Sequence, residues 1–269
     1  MPLKIITCIK WVPNTMAVSI DEKTGTLIRE GVPSIANPHD LCALEAALQL
    51  RDRYGGEVTV ISMAPPSAVL GLEHALGMGA DRAILISDRA FAGADTLATS
   101  YTLAKAIERI GEFDLIVTGQ ETIDSSTAHI GAQVASWLNI PYVYYVVDAE
   151  YDESRRVLRV KRMLENMYEV YEMDLPGLIS IAMHAFRPRR VRLENKLRAK
   201  LERRVEVWTN EVLKLDERCV GLRGSATAVT KIEFMPKVPR KRQVFRGRDP
   251  KEAARWLVSR LIEDGLLKL

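Results

Sequence analysis

The chain has little of what thiol, metal or membrane chemistry requires. Its 269 residues include three cysteines, Cys8, Cys42 and Cys219, scattered, odd in number and never in a CxxC pair. That argues against a disulfide framework or a zinc site. The four histidines, His39, His74, His129 and His184, are equally isolated and form no HExxH pattern, so they read as ordinary packing or surface residues. No stretch approaches the ~18 consecutive apolar residues of a membrane helix. The opening MPLKIITCIKWVP has a short apolar run without a cleavage pattern and reads as a first strand, so the expectation is a soluble, cytoplasmic protein. There is no GxxxxGK[ST] loop for phosphoryl transfer and no serine nucleophile elbow. The paired carboxylates Asp21-Glu22 and Asp152-Glu153 sit in turn-like contexts. Nothing nominates a general acid and base, so no catalytic side chain is expected and any chemistry falls to a bound cofactor.

What is present is ordinary globular composition, 47% hydrophobic and 27% charged. The net charge of +3 is unevenly spread. Nine Lys/Arg face three Glu between Phe186 and Glu206, and a second basic run comprises Lys237, Arg240, Lys241, Arg242, Arg246 and Arg248. Phe245 alone interleaves these runs, too little aromatic character to stack bases, so they read as a solvated face or a docking surface for an acidic partner rather than a nucleic-acid site.

Strand and helix signals alternate over the first two thirds. Strands are expected at Leu3–Ile9, Glu57–Ser62, Arg82–Ser87, Asp114–Thr118 and Pro141–Val147. Helices are expected at His39–Arg53, Pro66–Leu76 (stopping at Gly77), Asp95–Ile110 and Ser125–Leu138, with Asp95 as N-cap and Gly111 as C-cap. Apolar strands between amphipathic helices imply an α/β fold, a Rossmann-like doubly wound, mostly parallel sheet. Val157–Lys161 and Tyr168–Met173 then alternate like an antiparallel pair, and Gly177–Ala182 is one more buried strand. The expected division is an α/β domain over 1–186 and an arm over 187–269, with a helix near Leu193–Glu202 and a last helix capped by Asp249-Pro250.

In such a sheet, ligands bind at the carboxyl ends of strands. Three segments should converge there: Cys8-Ile9-Lys10, Asn37-Pro38-His39-Asp40, and the loop Gly119-Gln120-Glu121-Thr122-Ile123-Asp124-Ser125-Ser126-Thr127. The loop follows an apolar strand and opens a helix, so its free N–H groups and hydroxyls can hold phosphate, with Lys10 adding a charge. Plain capping explains the same residues, and Asn37 with Pro38 and Asp40 likewise makes a normal helix start. Gly77-Met78-Gly79-Ala80-Asp81-Arg82-Ala83 resembles GxGxxA but lies after a helix and before a strand, the wrong order for a dinucleotide fingerprint.

At these segments the chain resembles the electron-transfer flavoprotein beta subunit family, over nearly its whole length. Lys10-Trp11-Val12-Pro13-Asn14-Thr15 is similar to that family's K-Q-V-P-D-T, and Gly25 to Asp40 to its stretch ending N-P-x-D, continued by Leu44-Glu45-Ala46-Ala47-Leu48. Met78 to Ala83 resembles M-G-A-D-x-A, Gly119 to Ala135 resembles the loop signature with Q-x-I-D, and Pro188 to Lys200 resembles the later P-R…L…A-K segment. The resemblance implies a Rossmann-like fold with a C-terminal arm wrapping an alpha subunit, in an obligate heterodimer. Ordinary members bind AMP; members of the electron-bifurcating branch bind a second FAD that takes hydride from NADH. KWVPNT, GTLIREGVPSI and Asp124 to Ile130, similar to D-G-D-T-A-Q-V, resemble the bifurcating branch, with Ser125 for Gly, Ser126 for Asp and His129 for Gln as departures. Small Thr127 and Ala128 would leave room for an isoalloxazine ring.

Carried over by position, the implied cofactor contacts are Cys8, Lys10, Asn37, Asp40, Met63, Thr122, Asp124, Ser125, Ser126, Thr127, Ala128, His129, Ile130, Gly131 and Gln133. The family's docking loop maps to Arg189 through Leu197, with Arg189, Leu193 and Leu197 as docking residues, and Arg190 and Arg192 are unusual there. The implied function is a beta subunit holding FAD, accepting hydride from NADH and sending electrons to quinone-type and ferredoxin-type acceptors. Further implied partners are a quinone-oxidoreductase-like flavoprotein, a ferredoxin-like protein or an acyl-CoA dehydrogenase, the first giving a membrane association through subunits. The alternative within the family is AMP as a structural nucleotide while the alpha-subunit FAD carries electrons. A nucleotide sensor of the related stress-protein type would need an ATP-type glycine loop after the Asp114–Thr118 strand and no basic arm, and the sequence meets neither condition.

Overall fold

A computed structural model of the chain describes residues 2–14, 19–20, 27–28, 34–228 and 242–268. Thr15, Asp21, Glu22, most of residues 25–33, and Pro236, Lys237, Pro239, Arg240 and Lys241 of the arm lie outside the described residues.

The elements run β1 (Leu3–Cys8), β2 (Trp11–Pro13), β3 (Ser19–Ile20), β4 (Leu27–Ile28), β5 (Ser34–Ala36), α1 (Pro38–Tyr54), β6 (Gly56–Met63), α2 (Val69–Met78), β7 (Arg82–Ile86), α3 (Thr96–Ile110), β8 (Leu115–Gly119) and α4 (Ile130–Leu138). They continue with β9 (Tyr142–Asp152), β10 (Val157–Met163), β11 (Tyr168–Asp174), β12 (Gly177–Ile181), α5 (Leu193–Leu201), β13 (Val205–Trp208), and the short α6 (Asn210–Leu213) and α7 (Gly221–Gly224) before α8 (Pro250–Glu263).

Nine strands form one sheet in the order β11-β10-β9-β12-β8-β1-β6-β7-β13. All neighbours from β9 to β13 pair in parallel, and β9, β10 and β11 form an antiparallel extension. This is the expected α/β, doubly wound architecture. The chain winds outward from β1 through β6 and β7, then returns to place β8 on the other side of β1. That reversal is the switch point at which a crevice opens between the carboxyl ends of β1 and β8.

Both faces of the sheet are covered. Ile5, Val58, Val60 and Val117 pack with Leu44, Leu48, Leu72 and Leu76 of α1 and α2 on one face. Ile6, Ile61, Ile84 and Ile116 pack with Leu103, Ile107, Val134 and Ala135 of α3 and α4 on the other. Burial on both faces explains why these strands read as continuous apolar runs. Each fully buried Leu or Ile contributes about 1.5–3 kcal/mol of transfer free energy.

Several elements differ from expectation. The helix expected at Pro66–Leu76 begins as a 3₁₀ turn over Pro66–Ala68, continues as α2 through Gly77, and is stopped by Gly79 at φ +120°. Gly77 is a packing position: a Cβ there would lie 2.6 Å from Val191 and 3.0 Å from Lys196, which hold α5 against α2. Val205–Trp208, unassigned in the sequence, adds to the sheet beside β7; its four residues are too short for a periodic signal. Residues 187–228 consequently belong with the sheet, and the compact unit runs Met1–Ala228, past the expected 186/187 boundary. The second unit, Val229–Leu269, contains α8, whose Asp249 accepts from the Lys251 amide (2.9 Å) and which has no buried residue.

Candidate functional site

The three expected segments meet at the switch point. Ile9 and Lys10 leave β1, Asn37 precedes α1, and residues 120–129 leave β8. Their junction is built by Asn37 and Asp40.

Asn37 is fully buried. Its side chain makes no cap on α1. Instead Nδ2 donates to the Glu121 carbonyl (2.8 Å) and Oδ1 accepts from the Ile123 amide (3.2 Å). Its own amide donates to the Lys10 carbonyl (2.9 Å). One amide side chain thus satisfies two backbone groups of the turn and pins it to the start of α1, which replaces the capping explanation of this residue.

Asp40, also buried, accepts from the Lys10 amide (2.8 Å). A Cβ on Gly119 would lie 2.3 Å from Asp40 Oδ1 and 2.8 Å from its backbone nitrogen, so only glycine lets β8 end this close to α1. Burial pushes the Asp40 carboxyl up from 3.8 to about 7; hydrogen bonds from Lys10, Asn37 and Gly119 offset only part of that. Cys8 is half-buried on the opposite face of the sheet, and burial, then the nearby Asp40 charge, pushes its thiol up to about 12. A thiol raised that far is held in its neutral form near pH 7. Met63 ends β6 and packs on the same core.

The turn corrects one expectation. The helix predicted from Ser125 begins at Ile130. Ser126 (φ +50°) and Ala128 (φ +56°) are left-handed, and the Ser126 amide closes back on the Thr122 carbonyl (2.8 Å). Ser125, Ser126 and Thr127 therefore lie on an exposed turn ahead of α4 rather than in its first turn. The two serine hydroxyls are engaged within the turn: Thr122 Oγ1 and Ser125 Oγ are 2.9 Å apart, and Ser126 Oγ donates to the Thr122 carbonyl (3.2 Å). Lys10 Nζ donates to both oxygens of Asp124, at 3.0 and 2.7 Å. Burial, the largest influence on Asp124, raises its pKa, but the hydrogen bonds from Lys10 and Thr122 outweigh it and hold the carboxyl below its usual range. His129 is exposed at the N-cap of α4 without a side-chain cap. Gly131 is buried on Thr118 and Tyr142, and Gln133 donates to Thr96 at 3.5 Å while its Oε1 is buried without a partner.

Local reading missed the far wall of this turn. Gln120 donates to the Tyr145 hydroxyl (2.8 Å) and accepts from the Met183 amide (3.3 Å). Tyr145 is left-handed at φ +63°, where β9 shifts register against β12. A bulky aromatic in that conformation has no sequence signal, since any residue-type rule places glycine or asparagine there. His39, buried beside Glu121 and His184, has a pKa lowered mainly by burial.

The docking residues split. Arg189 turns inward: its backbone amide (3.1 Å), Nε (2.8 Å) and a terminal nitrogen (3.1 Å) donate to the buried Glu45, and its other nitrogen to Asp52 (2.8 Å). It fastens the 187–192 segment to α1, so its guanidinium is committed inside the chain. Leu193, Leu197 and Leu201, at helical spacing on α5, are 68%, 49% and 81% exposed. Among the described residues no group of His, Cys, Asp and Glu is arranged to hold a metal ion, and no helix is long and apolar enough to cross a membrane.

Toward a nucleotide the site offers the small exposed side chains of the turn and the unpartnered Gln133 Oε1 in the first turn of α4. Comparison with known proteins gives the family. Residues 24–212 match the family model described as the electron transfer flavoprotein domain. The chain is 44% identical to the electron transfer flavoprotein subunit beta of Clostridium acetobutylicum over 262 residues, 97% of this chain and 99% of that one. It is 42% identical over 266 residues to the caffeyl-CoA reductase-Etf complex subunit CarD of Acetobacterium woodii, covering 98% and 100%. With protein FixA of Azorhizobium caulinodans it shares 43% identity over 241 residues, covering 87% and 85%.

Proposed function

The chain belongs to the electron transfer flavoprotein family, among its beta subunits, and from that premise we propose that its switch-point turn holds FAD as a working redox cofactor. The observation that carries this reading is the Ser125–Ala128 stretch. Its side chains are small, Ser125 to Thr127 are exposed, and the stretch directly follows Asp124, the partner of Lys10. FAD bound there would supply two-electron acceptance from NADH and onward transfer in single electrons, toward a quinone-type and a ferredoxin-type acceptor.

The chain's own residues serve to bind and orient. Asn37 and Asp40 set the turn's position, the small side chains of residues 125–128 leave the cofactor space, and Gln133 offers an acceptor. No side chain of the chain moves a proton in this reading. The alpha subunit is the partner that beta subunits of this family imply. The exposed apolar side chains of α8, including Leu257 and Ile262, support an arm lying on it. The leucine stripe of α5, flanked by Arg190, Arg192 and Arg198, supports docking of a further redox protein with an acidic, apolar-centred face, such as a quinone-oxidoreductase-like flavoprotein, a ferredoxin-like protein or an acyl-CoA dehydrogenase.

Flavin and nucleotide content of the heterodimer, purified after co-expression, is the test. Two FAD per heterodimer is expected; one FAD with one AMP overturns the redox role and leaves a structural nucleotide. Thr127→Trp should empty the beta site of flavin while the alpha flavin stays. Unchanged loading would place the pocket elsewhere.

A further inference from the structure

We propose that Gln120 is a positioning residue for the nucleotide: with Tyr145 it forms a latch that fixes where the 120–129 turn leaves β8. The inference rests on the reading that this turn holds the nucleotide.

Tyr145 stands in a costly backbone conformation, at φ +63°. Glycine or asparagine adopts that region with little penalty, whereas a bulky aromatic meets a steric one. The register shows how it arises. Ile179 pairs with Val143 and Ile181 with Val146, so Ser180 alone stands opposite Tyr144 and Tyr145. A bulge of this kind re-aims side chains. Here the Tyr145 hydroxyl accepts from Gln120 Nε2 at 2.8 Å, and its ring stands edge-on to Tyr144 with centroids 4.5 Å apart. A strained residue persists only where its surroundings over-determine it, and this hydrogen bond and ring contact hold Tyr145.

Gln120 is engaged at both ends. Its Oε1 accepts from the Met183 amide at 3.3 Å, just beyond β12, and the next residue, His184, is also left-handed at φ +67°. One side chain thus ties together the chain at the ends of β8 and β12 and at the β9 bulge. Each contact lies at or beside a left-handed residue. From the β1 side of β8, Asn37 holds the residues that follow, through the Glu121 carbonyl and the Ile123 amide at 2.8 and 3.2 Å. Residues 120–123 are therefore clamped between two amide side chains. The exposed stretch Asp124–Thr127 begins immediately after the clamp. A displacement of Gln120 is carried directly into that stretch, so the latch supports the residues that meet the ligand.

The test uses the full chain co-purified with its alpha subunit. Tyr145→Phe removes only the hydroxyl, and Gln120→Leu removes both hydrogen bonds at similar volume. Each variant should lose the beta-site nucleotide, FAD or AMP, about tenfold faster on dialysis than the native heterodimer, while the alpha flavin leaves at the native rate. The double variant should lose it no faster than Gln120→Leu, because both changes break one linkage. Native-like loss in both single variants overturns the positioning role; a lowered urea midpoint would then mark the contact as packing of β9 only. Additive losses in the double variant overturn the latch, since the two residues would act separately. AMP in place of FAD overturns the redox role proposed above, and the same rates are then read on AMP. A native heterodimer that holds neither nucleotide at the beta site overturns the reading of the turn and the latch with it.

Discussion

Replacing Asn37 tests the junction most directly. In Asn37→Ala the Glu121 carbonyl and the Ile123 amide lose their partners at 2.8 and 3.2 Å, at a residue with no solvent exposure. Each lost hydrogen bond to a part-buried backbone group costs about 1–2 kcal/mol, so the variant should be destabilised by roughly 3 kcal/mol. Urea denaturation of the full chain reads the total, and hydrogen exchange reads where it falls. The Ile123 amide should lose protection selectively, while the β8 amides of Ile116 and Val117 keep theirs. Asn37→Asp separates the two bonds. Its carboxylate can still accept from Ile123 but faces the Glu121 carbonyl with no donor, so Ile123 protection should return while stability does not. An Asn37→Ala protein within about 0.5 kcal/mol of the native one, with Ile123 still protected, would refute the idea that this side chain holds the turn.

Two further outcomes follow from the same packing. Between 3.8 and about 7, Asp40 is protonated in the folded chain and ionised in the unfolded one. Folding takes up a proton in that window, so this residue's contribution falls as pH rises, by about 4 kcal/mol over the full shift. The stability difference between the native protein and Asp40→Asn, measured by denaturant titration from about pH 4 to 7.5, should drop by that order; parallel curves would show that the carboxyl does not titrate there. Arg189→Ala strips both guanidinium donors from the buried Glu45, leaving it the backbone amide of residue 189 and the Gln49 side chain. The loss should cost roughly 2–3 kcal/mol. Limited proteolysis should then cut near Pro188 first, and intact resistance there would argue that the ion pair is not what fastens the segment.

The sequence by itself determined the layer and the edge where the site lies. Apolar strands at Leu3–Cys8, Gly56–Met63 and Leu115–Gly119, alternating with helices, imply a doubly wound parallel sheet, because parallel strands need crossovers of one hand, while the order of the strands came from the structure. Period and capping residues also located α1, α3 and α8, since those signals are local. Tertiary structure decided the roles within the site. Asn37 carries the sequence signature of a cap, yet its partners are residues 84 and 86 positions away. Arg189 reads as an exposed docking residue, yet its partner is a buried glutamate 144 positions back. The start of α4 was lost in the same way: Ser126, which would cap a free helix, is left-handed and its amide closes on the Thr122 carbonyl, just after the residues that Asn37 holds. A side chain's hydrogen-bond partner is chosen by what folding brings within about 3 Å of it, and no periodicity along the chain carries that distance.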